Sequence, residues 1–346
     1  MKTTWKRKLS FISMLLVPLV IGATALVWWF QPMRPSIKSD LFLQPAPPPK
    51  NTWHVLIPNL KEAKVYVMDR PHAPEELMSD EALSKHKRVR QFTISTNEQG
   101  MREGVIGRKQ GKRILCVGES VTFGWGVAAE DSYPAHLERL LDVEVINAGI
   151  PSSTVEHSSY WIQNYAEALQ PDLILLTARV DWRHPNALPD FSNSIQNAAR
   201  YIAPVPIALV LPPISSFDRR GLSTLEQERQ HIQRSLRNTP VLDLTPIFQQ
   251  QTDEKGVRLR IVEQTQQLLD VKTGAVLVEG VNRPLQSGQP ALAPEIVEAF
   301  EEHLSWHEPM IFDGGHPDED GFLLFAQTVA NWIGEKGWLD QSKPLK

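Results

Sequence analysis

The sequence is almost without cysteine: of its 346 residues, Cys116 alone carries a thiol. A single cysteine excludes an intramolecular disulfide. Because Cys116 lies within the apolar stretch RILCVG, we expect a buried and inert thiol rather than a redox or catalytic one. The cysteine count leaves the redox compartment open, so the location of the protein has to be inferred from other features.

The main part of the chain also lacks an excess of basic charge. Residues 1–50 hold seven Lys or Arg and one acidic residue, whereas the whole chain has a formal net charge of −4. The remaining 296 residues therefore carry a net charge of −10. Nucleic-acid phosphates require basic patches, so this balance argues against a nucleic-acid partner.

An apolar run long enough to cross a membrane stands at the N-terminus. Residues 9–30 contain no charged side chain and can span a bilayer core of about 30 Å as a helix. Basic side chains in residues 1–8 favour a cytoplasmic start, which predicts a single-pass membrane protein with its folded part on the extracytoplasmic, periplasmic side. A cleaved signal peptide is the alternative, because residues 23–25 (Ala-Thr-Ala) fit a cleavage site. The apolar run continues to Phe30, which favours the anchor.

Composition divides the chain into segments. The stretch QPAPPPK is typical of a stiff, extended spacer between the membrane and a domain. Inside a later insertion, the patterns predict a hairpin turning near Lys272–Gly274 and a helix over 293–307. The predicted segments are a cytoplasmic basic segment (1–8), a transmembrane signal anchor (9–30), a Pro-rich linker (31–52), a cap segment (53–110) and a main domain (111–340) with an insertion (249–309).

Apolar stretches alternate with helical patterns through the main domain, which predicts crossover units and a parallel sheet. The five predicted strands are nearly continuous in hydrophobicity, so we expect both faces of the sheet to be covered. The fold class predicted is α/β, a three-layer doubly wound (flavodoxin-like) five-stranded parallel sheet. The predicted strands are 113–118, 143–149, 172–178, 206–213 and 241–248. The predicted helices are 133–141, 154–169, 190–202, 224–237 and 319–333.

Ser120 is a candidate nucleophile in the stretch CVGESVTFGWGV. It follows the first predicted strand, and ligands of such sheets bind outside the carboxyl ends of the strands. A serine hydroxyl needs a histidine that is itself oriented by an acid. The stretch FDGGHPDEDG supplies Asp313 and His316 just before the last predicted helix. Taken singly, each of these stretches is also compatible with an ordinary turn.

In combination, the residues resemble a known family. GES (118–120), NAG (147–149) and DGGHP (313–317) are similar to sequence blocks of the SGNH (GDSL) hydrolases, and NEQGMRE (97–103) resembles the lead-in of membrane-tethered members. The resemblance implies a catalytic Ser120, a base His316 oriented by Asp313, and an oxyanion hole that includes the Ser120 and Gly149 backbone N–H groups. It implies hydrolysis or transfer of acyl esters without a metal or organic cofactor. The predicted envelope location makes an O-acylated polysaccharide the expected substrate, so the predicted partner is an acyl ester or glycan.

Two departures from the family pattern stand out. Glu119 replaces the usual aspartate before the serine, and in TARVDW Arg179 stands where a glycine is expected. In the same stretch Asp181 occupies the place of the oxyanion-hole asparagine, and an ionised carboxylate donates no hydrogen bond. Three readings stay open: Asp181 is protonated, Arg179 supplies the donor, or the site is weakened or inactive. The third reading predicts a catalytically silent protein that binds glycan or an envelope partner.

The sequence predicts neither a metal site nor a nucleotide site. His303 and His307 are four residues apart, but no third ligand stands at a recognisable spacing, so we expect a solvated helix face. His184 is read as a surface histidine. The glycines that follow the first strand fit neither a GxGxxG nor a Walker pattern.

Overall fold

The computed structural model describes residues 41–46, 53–69, 88–102, 104–180, 187–213, 222–253, 257–262, 265–270, 273–281, 283–284, 290–291, 295–296, 310–311 and 315–340. They all belong to one unit, Ser39–Lys346. The strands are β1 (Leu43–Pro45), β2 (His54–Leu56), β3 (Ala63–Asp69), β4 (Arg88–Ile94), β5 (Arg113–Gly118), β6 (Glu144–Gly149), β7 (Leu173–Thr177), β8 (Ile207–Leu211), β9 (Val241–Asp243), β10 (Val257–Val262), β11 (Thr265–Asp270), β12 (Val276–Val281), β13 (Arg283–Pro284) and β14 (Pro290–Ala291). The α-helices are α1 (Ser120–Phe123), α2 (Tyr133–Leu141), α3 (Val155–Trp161), α4 (Ala187–Ile202), α5 (Leu222–Ser235), α6 (Thr245–Asp253) and α7 (Glu319–Lys336).

A five-stranded parallel sheet forms the centre of the fold, in the order β6-β5-β7-β8-β9. This is the predicted flavodoxin-like order, since the second strand along the chain pairs on one side of the first and the third strand pairs on the other. The order reverses beside β5, so the residues that follow β5 lie at the topological switch point. Ser120 is two residues beyond the end of that strand.

Both faces of the sheet are covered, which confirms the three predicted layers. Leu115 and Val117 of β5 face a core built with α3, α4 and α5. Their neighbours Ile114 and Cys116 face a second core, built with α2, α6 and α7. Cys116 is fully buried, as its apolar surroundings predict. Strands buried on both faces show no alternation of polar residues, which is why the sequence pattern locates them well.

The fifth predicted strand, 241–248, is too long and is corrected by the structure. Strand β9 ends at Asp243, and α6 begins at Thr245. The Asp243 carboxylate accepts a hydrogen bond from the Thr245 N–H at 2.9 Å, which favours the start of a helix. Leu244, just before α6, and Phe248, within α6, are buried in the same core. The apolar run of the sequence therefore continues beyond the end of the strand.

The predicted helices are present: the one over 133–141 has the predicted ends, and at least one end of each of the others is shifted. The helix predicted over 154–169 is capped by Thr154, whose hydroxyl accepts from the His157 N–H at 3.3 Å. It runs as α3, then as a π-helix (Ile162–Ala166) and a short 3-10 turn (Glu167–Leu169). The last helix, α7, is capped by Asp318 and ends at Gly337, which has a φ of 66°.

The cap segment holds the hairpin β3–β4 and the strand β2, which pairs with β1. Phe92 and Ile94 of β4 pack in one apolar cluster with Phe123 and Trp125, which follow the nucleophile candidate. The ring centroids of Phe92 and Trp125 are 5.3 Å apart in an edge-on arrangement. Part of the cap segment therefore packs directly on the turn that follows β5.

The predicted insertion contains a three-stranded antiparallel sheet, β10-β11-β12. Its predicted hairpin turn is confirmed: Asp270 accepts from the Thr273 N–H at 2.7 Å, and Gly274 has a φ of 70°. Most of the helix predicted over 293–307 lies outside the described residues, as does the predicted anchor over 9–30. Among the residues that the structure describes, there is no helix with the length and apolarity needed to cross a bilayer.

Candidate active site

The turn after β5 exposes Ser120 because two glycines permit a tight backbone path. A Cβ atom on Gly118 would collide with the Thr177 carbonyl oxygen and the Thr122 hydroxyl. Gly124 ends α1 in the left-handed region, with a φ of 81°, which side chains rarely adopt. Ser120 is the first residue of α1 and is half-buried. The turn therefore carries a serine at the carboxyl edge of the sheet.

The structure brings Ser120 and His316 together. The Ser120 Oγ atom and the His316 Nε2 atom are 2.7 Å apart, within hydrogen-bond distance. With Nε2 unprotonated, the serine hydroxyl donates to the imidazole, which is the geometry that a general base needs to accept its proton. The Trp125 ring lies 6.4 Å from the imidazole, centroid to centroid. The pair sits beside an aromatic side chain that also packs against the cap segment.

The backbone around His316 is tied to the preceding residues and to α7. Pro317 forms an antiparallel bridge with Ile311, and the Asp318 N–H donates to the Met310 carbonyl at 3.0 Å. Asp318 then caps α7, since its carboxylate accepts from the Gly321 N–H at 2.8 Å. His316 therefore stands two residues before Asp318, the N-cap that fixes the start of α7. Asp313, predicted to orient the imidazole, lies outside the described residues.

Arg102, which sequence reasoning missed, binds the backbone of the turn that follows Ser120. It belongs to the NEQGMRE stretch and is almost fully buried. Its guanidinium donates to the carbonyls of Phe123 (2.8 Å), Gly124 (2.6 Å) and Val127 (2.7 Å) and lies over the Phe123 ring. Burial lowers the pKa of Arg102 to about 10, while the carboxylate of Glu130 opposes this shift. The arginine still carries its charge at neutral pH and fixes α1.

Two of the three residues that depart from the pattern of the resembled family, Glu119 and Arg179, contact each other. Arg179 lies two residues beyond the end of β7, and its Nε atom is 3.1 Å from the Glu119 Oε1 atom. Neither atom has a hydrogen-bond partner among the described residues, so the contact is an ion pair without an aligned N–H. The same guanidinium donates a hydrogen bond to the Gly315 carbonyl. Arg179 thus contacts the residues that precede Ser120 and His316.

Gly149, predicted as an oxyanion donor, lies at the end of β6 beside Gly118. Its N–H donates to the Asn147 side-chain oxygen at 3.0 Å, so this donor is already in use in the structure. The Asn147 amide donates in turn to the Phe123 carbonyl at 3.3 Å. The role of Gly149 stays a prediction and requires release of that bond. Asp181, the other predicted member of the oxyanion hole, lies outside the described residues.

No metal-binding cluster of three or more His, Cys, Asp or Glu side chains occurs in the part of the chain that the structure describes. His184, His303 and His307 lie outside that part. The prediction that the protein uses no metal or organic cofactor therefore stays a prediction.

Comparison with known proteins finds similarity in solved structures only. No family model matches the chain, and no curated protein matches it. The lipase/acylhydrolase from Enterococcus faecalis is similar at 15% identity over 65% of this chain and 96% of that chain, with a TM-score of 0.43. An acetylxylan esterase from Geobacillus stearothermophilus is similar at 17% identity over 67% of this chain and 98% of that chain, with a TM-score of 0.40. Because these values are low, the function has to be argued from the side chains of this chain.

Proposed function

We propose that the protein is a serine hydrolase or acyltransferase of the SGNH type that acts on acyl esters. The observation that carries this proposal is the 2.7 Å contact between the Ser120 Oγ and His316 Nε2 atoms at the carboxyl edge of the sheet. A nucleophile and its base within hydrogen-bond distance are the minimum machinery for covalent acyl transfer. Asp313, three residues before the base, is proposed to orient the imidazole.

The proposed reaction has two half-reactions with balanced proton transfers. The Ser120 oxygen bonds to the acyl carbonyl carbon while its proton passes to His316, which then protonates the leaving alcohol as the ester bond breaks. Water or a sugar hydroxyl next attacks the acyl-serine and gives its proton to His316, and the serine oxygen recovers that proton as it leaves. The Ser120 and Gly149 N–H groups and Asp181 are the proposed surroundings of the developing oxyanion.

The proposed substrate is an O-acylated glycan of the cell envelope, with water or a second glycan as acceptor. This follows from the predicted anchor over 9–30 and the predicted periplasmic location of the folded part. Resistance of the full chain to carbonate extraction would support the anchor. Recovery of a soluble chain that begins near Leu26 would instead establish a cleaved signal peptide.

A fluorophosphonate probe tests the proposed function, because it bonds covalently to a serine that an adjacent base activates. We expect the full-length protein in detergent to be labelled at Ser120 and the Ser120→Ala variant to remain unlabelled. Ser153→Ala is the matched control: its hydroxyl donates to the Gly118 carbonyl at 3.2 Å in the same neighbourhood, and labelling at Ser120 should persist. A wild-type protein that takes up no probe would favour the silent, glycan-binding alternative.

A further inference from the structure

Arg179 connects two loops that are distant in sequence and carry the proposed nucleophile and base. Its Nε atom is 3.1 Å from the carboxylate of Glu119, the residue before Ser120. Another nitrogen of the same guanidinium donates to the carbonyl of Gly315, the residue before His316. One planar group therefore contacts the immediate neighbours of both members of the reacting pair.

Two of the three departing residues, Glu119 and Arg179, are the two halves of one contact. A glycine at position 179 would offer no side chain to either loop, and an aspartate at position 119 would end one methylene group sooner. The Glu119 and Arg179 side chains are 23% and 35% exposed, so they meet at the edge of the site and not deep in the core. Each departure provides the partner that the other one needs.

The charged side chains near Arg179 identify Glu119 as its counterion among the described residues. A second arginine, Arg229, lies close enough for Arg179 to lower its pKa, although burial is the larger cause of the fall to about 10. Arg229 is itself paired with Asp243 and donates to the Pro212 carbonyl at 2.7 Å. Among the described residues, Glu119 is the carboxylate within ion-pair distance of Arg179.

We propose that Glu119 and Arg179 form a clamp. It holds the turn that carries Ser120 (residues 118–124, the Ser120 turn) and the segment that carries His316 (residues 315–318, the His316 loop) at reacting distance. Arg179 is then a positioning residue, since it acts on His316 through Gly315, and the inference rests on the proposed function. Small displacements of reacting groups are costly: a shift of about 1 Å can slow a reaction by about 100-fold. A lysine cannot replace the arginine fully, because its single ammonium lacks the planar fork that reaches two acceptors.

A double-mutant cycle tests the clamp in the full-length protein with p-nitrophenyl acetate, a small uncharged ester. Arg179→Ala should lower kcat by roughly 10- to 100-fold and leave KM within about twofold. Glu119→Gln should lower kcat by roughly 3- to 10-fold, and the double variant should be no slower than Arg179→Ala within about twofold, because both changes open the same clamp. Arg179→Lys should restore part of the loss.

Arg90→Ala is the matched control, since it also removes an arginine–glutamate pair near His316. Arg90 donates to both carboxylate oxygens of Glu319 at 2.9 Å, on the outside of α7, and its loss should change kcat by less than about threefold. If Glu119→Gln matches or exceeds the wild-type rate while Arg179→Ala is slow, the guanidinium acts on the substrate directly and the clamp is wrong.

Hydrogen–deuterium exchange separates the clamp from the proposed function, because it needs no turnover. The Asp318 N–H is bonded to the Met310 carbonyl at 3.0 Å, so it reports the closure of the His316 loop. We expect faster exchange over residues 315–322 in Arg179→Ala than in the wild type or Arg90→Ala. Equal exchange in all three proteins would overturn the clamp. Faster exchange in a protein without any esterase activity would retain the clamp and remove the proposed function.

Discussion

Each end of the central sheet has an arginine that pairs with a glutamate, and the two arginines differ in burial and in hydrogen bonding. At the amino end, Arg113 begins β5, is 3% exposed and binds both carboxylate oxygens of Glu144, at 2.7 and 2.8 Å. It also donates to the carbonyls of Leu169 and Gly107, so each nitrogen of its guanidinium has an acceptor. At the carboxyl end, Arg179 is 35% exposed, and its ion pair with Glu119 is not aligned as a hydrogen bond.

At one end the fold buries its arginine among acceptors, and at the other end, where the chemistry is proposed, it leaves the arginine partly exposed. A buried arginine with all donors satisfied fixes the start of three strands, because Asp172 joins the same network through the Arg113 N–H at 2.8 Å. The Arg179 side chain is partly exposed, and its Nε–H has no hydrogen-bond acceptor among the described residues, which leaves room for a ligand. In open α/β sheets ligands bind at the carboxyl ends of the strands. In this molecule that end holds Arg179, whose nitrogens have fewer hydrogen-bond acceptors among the described residues than those of Arg113.

The largest expected effect lies at the carboxyl end. Ser120→Ala and His316→Ala should each lower kcat for a simple acetyl ester by at least about 1,000-fold, since the two groups act as a unit. For the same reason the double variant should be no slower than the single ones within about twofold. Thermal unfolding should change little, because both side chains are half-buried at the sheet edge. An active Ser120→Ala protein would contradict the assignment.

Removal of the amino-end arginine should show the reverse pattern. Arg113→Ala leaves the carbonyls of Leu169 and Gly107 and the Glu144 carboxylate without their donors, and we expect a loss of about 3 to 4 kcal/mol in the free energy of unfolding. Below the unfolding transition, kcat per folded molecule should stay within about twofold of wild type. Urea unfolding and steady-state kinetics on the same sample measure both quantities. A large loss of kcat with unchanged stability would erase the contrast between the two ends.

A buried histidine in α3, His157, separates the pH dependence of the fold from that of the proposed chemistry. Burial first, and the charge of His54 second, lower the pKa of His157 to about 4 from an ordinary value of 6.5. Between these two values the unfolded chain binds the extra proton, so the free energy of unfolding should fall by at most about 3 kcal/mol as the pH drops from 6.5 to 4. His157→Phe keeps an aromatic ring against Trp53, 4.9 Å away, and should flatten this dependence. Equal pH dependence in both proteins would show that another group is responsible.

The smallest expected effect is at the rim of the amino end. The Lys112 Nζ atom is 3.5 Å from the Asp172 carboxylate, which Lys109 also contacts at 2.7 Å. Lys112→Ala should therefore change the free energy of unfolding by less than about 0.5 kcal/mol, as is usual for surface ion pairs, and leave kcat unchanged. A change above about 1 kcal/mol would show that the whole network, and not Arg113 alone, holds this end.

Sequence reasoning located the sheet because fully buried parallel strands are continuous apolar runs. It extended the last strand too far for the same reason, since Leu244, which precedes α6, and Phe248, which lies within α6, are buried in the same core. The end of the strand is marked by Asp243, whose carboxylate accepts from the Thr245 N–H and favours a helix start there. Pattern length alone does not separate a short strand from the helix that follows it.

The pairing of Ser120 with His316 could be anticipated from chemical type and sheet topology. The ion pair of Glu119 with Arg179 cannot be predicted from either sequence block alone, although the flavodoxin-like strand order places the strands before these residues side by side. The contacts of Arg102 gave no signal in the sequence. A buried arginine bonded to three carbonyls depends on loop geometry that no periodicity encodes.

The hydrogen bond between Ser120 and His316 joins residues that are 196 positions apart. During synthesis, the sheet strand that presents the serine is completed long before the ribosome reaches the histidine. A chain released early, or cut before residue 316, therefore contains a serine without its partner and should be chemically silent. If Ser120 reacts as proposed, its reactivity consequently reports that His316 has been synthesised and has docked beside it, so the serine marks the closing of a contact between distant parts of the chain.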